Sequence, residues 1–318
     1  MATATTKRAR CPVCKEVFDS ADITRAHIKE QHQVRIGIND TVKNTAPTNG
    51  NQRFHFNAYG QSILDDAKKI YPRPLLFTGL TGSSKSSICR AMSYDMELPY
   101  SVLNGHPDMD VSQLIGQWVP DNTDGITINW EHGALTKSVI SGGIFLFEEI
   151  NRAPPESHSR LFGLADDSFR YLTLTEAGGM EIPIADNFWL IGTANPTGGG
   201  YYTAKIDDAM KRRFAIIEIT DIMADEKAML EDVFSEAPPF GPPMSPVRAQ
   251  VLTGQILKFA ADLRGGDRVN TFINTGDVRS LAALINNGLH PLKAVQYGVA
   301  PKYNKPDGIM EAATGFWG

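Results

Sequence analysis

The residues from Gly79 to Ser87 have the composition of a loop that binds phosphate groups. They read Gly-Leu-Thr-Gly-Ser-Ser-Lys-Ser-Ser, so a glycine-containing turn runs directly into Lys85. Main-chain N–H groups of such a turn and the following helix N-terminus can surround an anion. The pattern predicts that Lys85 contacts the β- and γ-phosphates of a nucleoside triphosphate and that Ser86 contacts its Mg²⁺ ion. The predicted nucleotide-binding residues of this loop are Gly79, Thr81, Gly82, Ser83, Ser84, Lys85, Ser86 and Ser87.

The usual form of this motif has a glycine immediately before the lysine, whereas this chain has Ser84 there. A backbone with a positive φ angle costs a residue other than glycine about 1 kcal/mol or more. Two outcomes are therefore open: Ser84 accepts the left-handed conformation, or the loop follows a different path. Taken alone, the stretch could also be an ordinary turn between a strand and a helix.

Two acidic residues, Glu148 and Glu149, end an apolar run that begins at Gly143. One carboxylate at the end of a buried strand can support Mg²⁺, and the next can polarise an attacking water molecule. The first of these positions usually holds Asp, so Glu148 is longer than the usual residue by one methylene. We expect Glu148 to support the metal ion and Glu149 to act as the general base.

Further polar residues that could contact a nucleotide lie next to other apolar stretches. Asn195 ends one such stretch and could orient the attacking water or contact the γ-phosphate. Arg212 and Arg213 come just before another, and an arginine offered across a subunit boundary can stabilise the charge that develops in phosphoryl transfer. Arg279 lies near the start of a C-terminal helical segment and could reach the phosphates from there.

The elements that must position these residues can be predicted from the apolar patterns. Runs of strand length occur at 74–78, 100–103, 143–147, 188–193 and 215–219. Helical spacing occurs before the first of them, at 62–70, and between the first two, at 85–96. Strands that alternate with helices predict an α/β fold with a parallel sheet and helices on both faces. A β-hairpin is expected in addition at 169–184, where apolar and polar residues alternate around two glycines.

Four potential zinc ligands stand near the N-terminus: Cys11, Cys14, His27 and His32. Their spacing, Cys-x2-Cys-x12-His-x4-His, is typical of a tetrahedral Zn²⁺ site in a small ββα unit. Such a short unit cannot bury enough apolar surface alone, so zinc would supply its folding free energy. Residues 1–35 hold seven basic and four acidic residues, a surplus of three positive charges. The surplus could hold a nucleic-acid backbone weakly, so docking to a protein and binding to nucleic acid both stay open.

The composition of the 318 residues excludes several classes of protein. A net charge of −5 argues against binding of polyanions by bulk charge. No apolar run approaches the roughly 18–20 residues that span a bilayer, and residues 1–10 lack the apolar segment of a secretory signal. We therefore expect a cytoplasmic protein without a membrane partner. Three cysteines, two of them three positions apart, favour a metal site over a disulfide framework.

Taken together and in this order, these motifs resemble those of AAA+ ATPases. In this resemblance, Gly79 to Ser86 would be the Walker A motif and Glu148-Glu149 the Walker B motif. Asn195 would be sensor 1, Arg213 the arginine finger and Arg279 sensor 2. The stretches Glu-His-Gly-Ala-Leu (131–135) and Gly-Gly-Ile-Phe-Leu-Phe-Glu-Glu-Ile-Asn-Arg-Ala-Pro (142–154) look like the MoxR branch, which includes the small subunit of cobaltochelatase. The hairpin at 171–184 is similar to that branch's insertion before sensor 1, and 105–130 to its second-helix insertion. The resemblance covers about residues 54–290 and none of the N-terminal unit.

The resemblance implies a P-loop NTPase sheet, a C-terminal helical lid domain and Mg²⁺-dependent hydrolysis of ATP. It also implies a hexameric ring, in which Arg213, with Arg212, acts on the nucleotide of the neighbouring subunit. A protein client is implied as well, often one with a von Willebrand factor A-type domain. The expected domains are a zinc finger at 1–33, a linker at 34–53, the AAA+ α/β domain at 54–222 and the lid at 223–318.

Two further functions stay open. One is a nucleic-acid motor or loader that is tethered by the zinc finger. The other is a nucleotide-gated scaffold with weak hydrolysis, because Ser84 and Glu148 depart from the usual residues at the phosphate and metal positions.

Overall fold

The computed structural model describes residues 54–79, 81–121, 127–166, 171–195, 206, 208–239, 241–265 and 273–318, with two short strands near the N-terminus. The chain groups into two compact units. Unit 1 comprises Met1–Gln52, Ile63–Gly79 and Lys85–Ile219, and unit 2 comprises Arg53–Ser62, Leu80–Ser84 and Thr220–Gly318.

The two N-terminal strands, β1 (Ala9–Arg10) and β2 (Val17–Phe18), pair in antiparallel fashion. In the sequence, the two cysteines of the predicted zinc site stand between them. The predicted ligands Cys11, Cys14, His27 and His32 themselves lie outside the described residues, and so does the predicted linker. The zinc finger therefore stays a prediction.

The strands of the α/β part are β3 (Leu75–Gly79), β4 (Tyr100–Asn104), β5 (Gly116–Asp121), β6 (Thr127–His132), β7 (Gly143–Glu148), β8 (Tyr171–Leu174), β9 (Met180–Pro183), β10 (Phe188–Ala194) and β11 (Ala215–Ile219). The helices before residue 220 are α1 (Ala58–Ile70), α2 (Lys85–Asp95), α3 (Val111–Ile115), α4 (Ala134–Ser141), α5 (Pro155–Phe162) and α6 (Asp208–Arg213).

Five of these strands form one parallel sheet in the order β11-β3-β10-β7-β4. Strands covered on both faces are expected to be continuously apolar, and Leu75, Leu76 and Phe77 of β3 are completely buried. Phe145 and Phe147 of β7 belong to the same core, and each buried side chain of this size contributes about 1.5–3 kcal/mol. The predicted α/β fold is confirmed, and each predicted strand agrees with the observed one within one residue at either end.

Two antiparallel hairpins form two-stranded sheets of their own, separate from this sheet. The hairpin β8–β9 was predicted; a short 3-10 turn and Gly178, in the left-handed conformation, connect its strands. The hairpin β5–β6 was not predicted; most of it lies in the stretch 105–130, which was expected to be an insertion. Its cross-strand pair Trp118 and Trp130 packs edge to face, with ring centroids 5.3 Å apart. Pro120 lies inside β5, and a proline lowers the strand tendency of a sequence because it cannot donate to the ladder.

Unit 2 is mainly helical after residue 220. Its helices are α7 (Glu226–Ser235), α8 (Pro246–Gly265), α9 (Thr275–Asn286), α10 (Pro291–Gly298) and α11 (Pro306–Trp317). Leu230, Phe259 and Leu281 lie in its apolar core. The side chain of Arg264 forms two hydrogen bonds of 2.8 Å with Glu226 and so joins α8 to α7.

The first three helices of unit 2 follow segments that the sequence predicts to be helical, at 227–234, 247–263 and 277–289, whereas α10 and α11 were not predicted. Both begin with a proline at the first helical position, and glycines lie within them. Proline is favoured at the first position of a helix. In a sequence whose helix boundaries are unknown, however, a proline indicates that a helix is interrupted.

Candidate active site

The carboxyl ends of three neighbouring strands meet at one edge of the sheet of unit 1. The strands β3, β10 and β7 are adjacent and parallel, so their last residues lie side by side, which is the usual ligand-binding edge of such sheets. β3 ends at Gly79, β7 ends at Glu148, and Asn195 follows β10. Residues that are far apart in the sequence are therefore neighbours here.

The loop between β3 and α2 contains two residues with a left-handed backbone. Gly82 has a φ angle of 79° and Ser84 has a φ angle of 68°. Ser84 thus accepts the conformation that a glycine usually adopts before the lysine, which settles the question that the sequence left open. Of the predicted binding residues, Ser83 and Lys85 are buried, Ser84 and Ser86 are half-buried, and Thr81 and Ser87 are exposed.

Lys85 is the first residue of α2, and its side chain points to the end of the central strands. Its Nζ donates to the main-chain oxygen of Gly79 at 2.7 Å and to Oδ1 of Asn195 at 3.0 Å. Only 8% of the residue is exposed. Burial lowers the pKa of Lys85 to about 8, and the charges of Glu149 and Glu148 oppose this shift. A desolvated ammonium group gains strongly from an anionic partner, so these residues fit a phosphate group.

Asn195 connects the lysine to the second acidic residue. While its Oδ1 accepts from Lys85, its Nδ2 donates to Oε1 of Glu149 at 3.1 Å. The main-chain oxygen of Asn195 accepts a hydrogen bond of 2.9 Å from Nδ2 of Asn151. The amide thus bridges a cation and a carboxylate, and its main chain is fixed by a third residue.

Glu149 has a left-handed backbone, with φ 49° and ψ 42°. Its N–H donates to Oγ1 of Thr193 at 3.1 Å, and its Oε2 accepts from Nη1 of Arg152 at 2.5 Å. Glu148 is half-buried, and its main-chain oxygen accepts from the N–H of Gly105 at 2.7 Å. Arg152 was not among the predicted site residues. Its position three residues after Glu149 could have indicated its contact with that carboxylate.

The two predicted trans-acting arginines lie in α6, in different environments. The guanidinium group of Arg213 lies over the ring of Phe162, 4.9 Å from its centre, and donates to the main-chain oxygen of Ala209 at 3.0 Å. Arg212 is exposed. Arg213 is thus held by contacts within its own chain, while Arg212 extends into solvent.

Unit 2 contains the fifth predicted catalytic residue, Arg279, which is exposed on α9. It also contains a residue that the sequence did not suggest. Asn274 caps α9, since its Oδ1 accepts from the N–H of Asp277 at 3.0 Å. The same side chain lies where a Cβ atom at Gly82 would be, so residue 82 of the loop has to be a glycine.

No helix among the residues that the structure describes has the length and apolar character needed to cross a membrane. Within the same ranges, no three His, Cys, Asp or Glu side chains are grouped in a way that could hold a metal ion.

The model of the AAA domain, dynein-related subfamily, matches residues 74–214. This match begins just before β3 and ends just before β11, so it includes the whole edge at which Lys85, Glu149 and Asn195 meet.

The chain is also similar to several curated proteins. An uncharacterized protein of Staphylococcus epidermidis is 30% identical over 230 residues, which cover 71% of this chain and 80% of that protein. The uncharacterized protein YojN of Bacillus subtilis is 27% identical over 259 residues, which cover 78% of this chain and 79% of YojN. Midasin of Giardia intestinalis is 29% identical over 153 residues, which cover 48% of this chain but 3% of midasin. With its parallel sheet, its AAA domain and these relatives, the chain belongs to the AAA+ ATPases.

Proposed function

We propose that this chain is a Mg²⁺-dependent ATPase of the MoxR branch that assembles into a hexameric ring and remodels a protein client. The observation that carries the hydrolytic part is the hydrogen-bonded series from Lys85 through Asn195 to Glu149. It connects the buried ammonium group of Lys85, which can bind a phosphate oxygen, to the carboxylate of Glu149, which can accept a hydrogen bond from a water molecule.

The residues of this series have separate roles in hydrolysis. Lys85 pairs with the phosphate oxygens, and the N–H groups of the loop and of the start of α2 surround them. Glu149 accepts the proton of the attacking water, and Asn195 orients that water. When bound, Mg²⁺ neutralises phosphate charge, and the hydroxyl of Ser86 together with the carboxylate of Glu148 would hold it.

The arginines act on transition-state charge and require an assembled ring. We assign Arg213 and Arg212 to the nucleotide of the neighbouring subunit, since arginine in trans is a recurrent source of such stabilisation. The exposure of Arg212 supports its part in this. Arg279, exposed on α9, would contact the γ-phosphate.

The protein client is proposed from the MoxR-like residues and from the hairpins. The sequence Glu-Ile-Asn-Arg-Ala at 149–153 and the two hairpins β5–β6 and β8–β9 support this branch. We also propose that the client contains a von Willebrand factor A-type domain and that this chain is located in the cytoplasm.

The experiment that tests the proposed activity is phosphate release by the full chain. We expect turnover with ATP and Mg²⁺, and we expect chelation of the metal by EDTA to stop it. Absence of both phosphate release and nucleotide binding in calorimetry would refute the proposal. Tight binding without release would favour the nucleotide-gated scaffold instead.

The N-terminal unit is proposed to be a zinc finger with the ligands Cys11, Cys14, His27 and His32. The spacing supports it, and so does the pairing of β1 with β2 on either side of the two cysteines. We expect about one zinc ion per chain by metal analysis, and we expect Cys11→Ser to lose it. The variant Cys89→Ser, which changes a buried cysteine of α2, should keep the metal, and equal zinc contents in the two variants would contradict the assignment.

A nucleic-acid motor or loader is the second candidate function. The surplus of three positive charges in residues 1–35 favours it. Binding of DNA that weakens steeply with salt and disappears in Cys11→Ser would support this function over the protein client. Unchanged DNA binding in that variant, or none in the wild type, would exclude the finger as a tether.

A further inference from the structure

Arg152 lies beside the proposed general base because of the local geometry of the chain. The residues Ile150–Arg152 form a 3-10 turn that begins directly after Glu149, and the N–H of Arg152 donates to the main-chain oxygen of Glu149 at 2.8 Å. With about three residues per turn, side chains three positions apart lie on the same side. The guanidinium group therefore reaches the carboxylate that precedes the turn.

The carboxylate of Glu149 is held from two directions. Its Oε2 accepts from Nη1 of Arg152 at 2.5 Å, and its Oε1 accepts from Nδ2 of Asn195 at 3.1 Å. One bond to each oxygen fixes the plane of the carboxylate. Each oxygen can accept a second hydrogen bond, so the carboxylate can still accept one from a water molecule.

The turn that carries Arg152 is itself fastened to its surroundings. Nε2 of His158, in α5, donates to the main-chain oxygen of Ile150 at 2.7 Å. Nδ2 of Asn151 donates to the main-chain oxygen of Asn195 at 2.9 Å. The position of Arg152 is therefore set in part by α5 and by the end of β10.

We propose that Arg152 is a positioning residue for hydrolysis, which holds the carboxylate of Glu149 in the orientation that accepts the proton of the attacking water. This inference rests on the proposed function, because it requires Glu149 to be the base. Small displacements of a catalytic group reduce the rate strongly even when substrate binding is intact. Arg152 should therefore affect kcat and leave nucleotide affinity almost unchanged.

The first test compares Arg152→Ala with a matched control in the full chain. We expect kcat to fall about 10- to 100-fold, while KM for ATP and the dissociation constant for ATP change less than about threefold. Arg152→Lys should recover part of the loss, because an ammonium group can donate one of the hydrogen bonds. The control is Arg160→Ala, since this arginine of α5 is similarly exposed but contacts Thr175 and Glu176; it should keep kcat within about twofold.

A double-mutant cycle separates action through Glu149 from other roles. In single-turnover measurements, Arg152→Ala should add no further loss to Glu149→Gln. The inference is overturned if the two losses multiply, if kcat is unchanged, or if kcat and affinity fall together. If the wild type hydrolyses ATP and Arg152→Ala has the same kcat, this inference is overturned while the proposed function stands. A wild type that does not hydrolyse ATP would overturn the proposed function, and this inference with it.

Discussion

Replacing Lys85 by alanine is expected to weaken ATP binding about 100-fold or more. The ammonium group is largely buried at the end of β3, and hydrogen bonds to a charged group contribute about 1.5–3 kcal/mol each. Two such bonds to phosphate oxygens are therefore worth a factor of this size. Titration calorimetry with ATP and Mg²⁺ measures the loss directly.

The matched control for this substitution is Lys68→Ala. Lys68 is also only partly exposed, but it lies in α1 and forms ion pairs with Asp95 and Asp65. We expect it to bind ATP as the wild type does. An affinity of Lys85→Ala that equals that of Lys68→Ala would rule out Lys85 as a phosphate ligand.

The same lysine predicts a dependence of ATP affinity on pH. Because burial lowers its pKa to about 8, Lys85 is mostly charged at pH 7 and mostly neutral at pH 9. Phosphate favours the charged form, so the dissociation constant should rise about tenfold over this interval. The variant Lys85→Arg stays charged throughout, and its affinity should change much less. Parallel profiles of the two proteins would show that another group is responsible.

The stability of the free protein should show the opposite trend. The pKa of Lys85 is lowered from the ordinary value of 10.5 to about 8 in the folded chain, so between these values the unfolded chain binds more protons. The contribution of Lys85 to the free energy of unfolding therefore rises with pH in this window. Burial of the ammonium thus costs stability at neutral pH and provides a charge for the nucleotide.

The sequence predicted the sheet well because its strands are covered on both faces. A run such as Leu75–Phe77 has to be apolar at every position when helices cover both sides. Polar residues directly after such runs then have to lie at the carboxyl edge. For this reason the meeting of Glu149 and Asn195 could be anticipated from the sequence, and the phosphate-binding motif added Lys85 to them.

Contacts that depend on three-dimensional packing could not be anticipated in this way. Asn274 lies against Gly82, from which it is separated by almost the whole α/β part of the chain, and no sequence pattern connects them. The stacking of Arg213 on Phe162 joins two short helices whose mutual approach is set by the fold. Arg152 differs, because its spacing of three residues from Glu149 was visible in the sequence, but the 3-10 turn that brings the two side chains together was not predicted.

Replacing Glu149 by glutamine should separate binding of ATP from its hydrolysis. Glutamine has nearly the same shape, but it cannot take a proton from water, and general base catalysis contributes about 10²- to 10⁴-fold. We therefore expect kcat to fall at least about 100-fold, while the dissociation constant for ATP changes less than about threefold. Phosphate release and calorimetry on the same preparation provide both numbers.

The hydrogen bonds to the side chain of Glu149 explain why Glu149→Gln should lower kcat even though the two side chains have nearly the same size. Both Arg152 and Asn195 donate to the carboxylate of Glu149. A glutamine amide has one accepting oxygen and one donating nitrogen, so it can satisfy only one of the two donors. Part of the loss in kcat will therefore come from a displaced side chain.

The neighbouring variant Glu148→Gln shows whether the two acids have different roles. If Glu148 supports the metal, this variant should need more Mg²⁺, by about tenfold, and should regain much of its rate when Mg²⁺ is raised. Glu149→Gln should not be rescued in this way, because a missing base cannot be replaced by more metal. Equal turnover of Glu149→Gln and the wild type would exclude Glu149 as the base, and rescue of both variants by Mg²⁺ would assign both carboxylates to the metal.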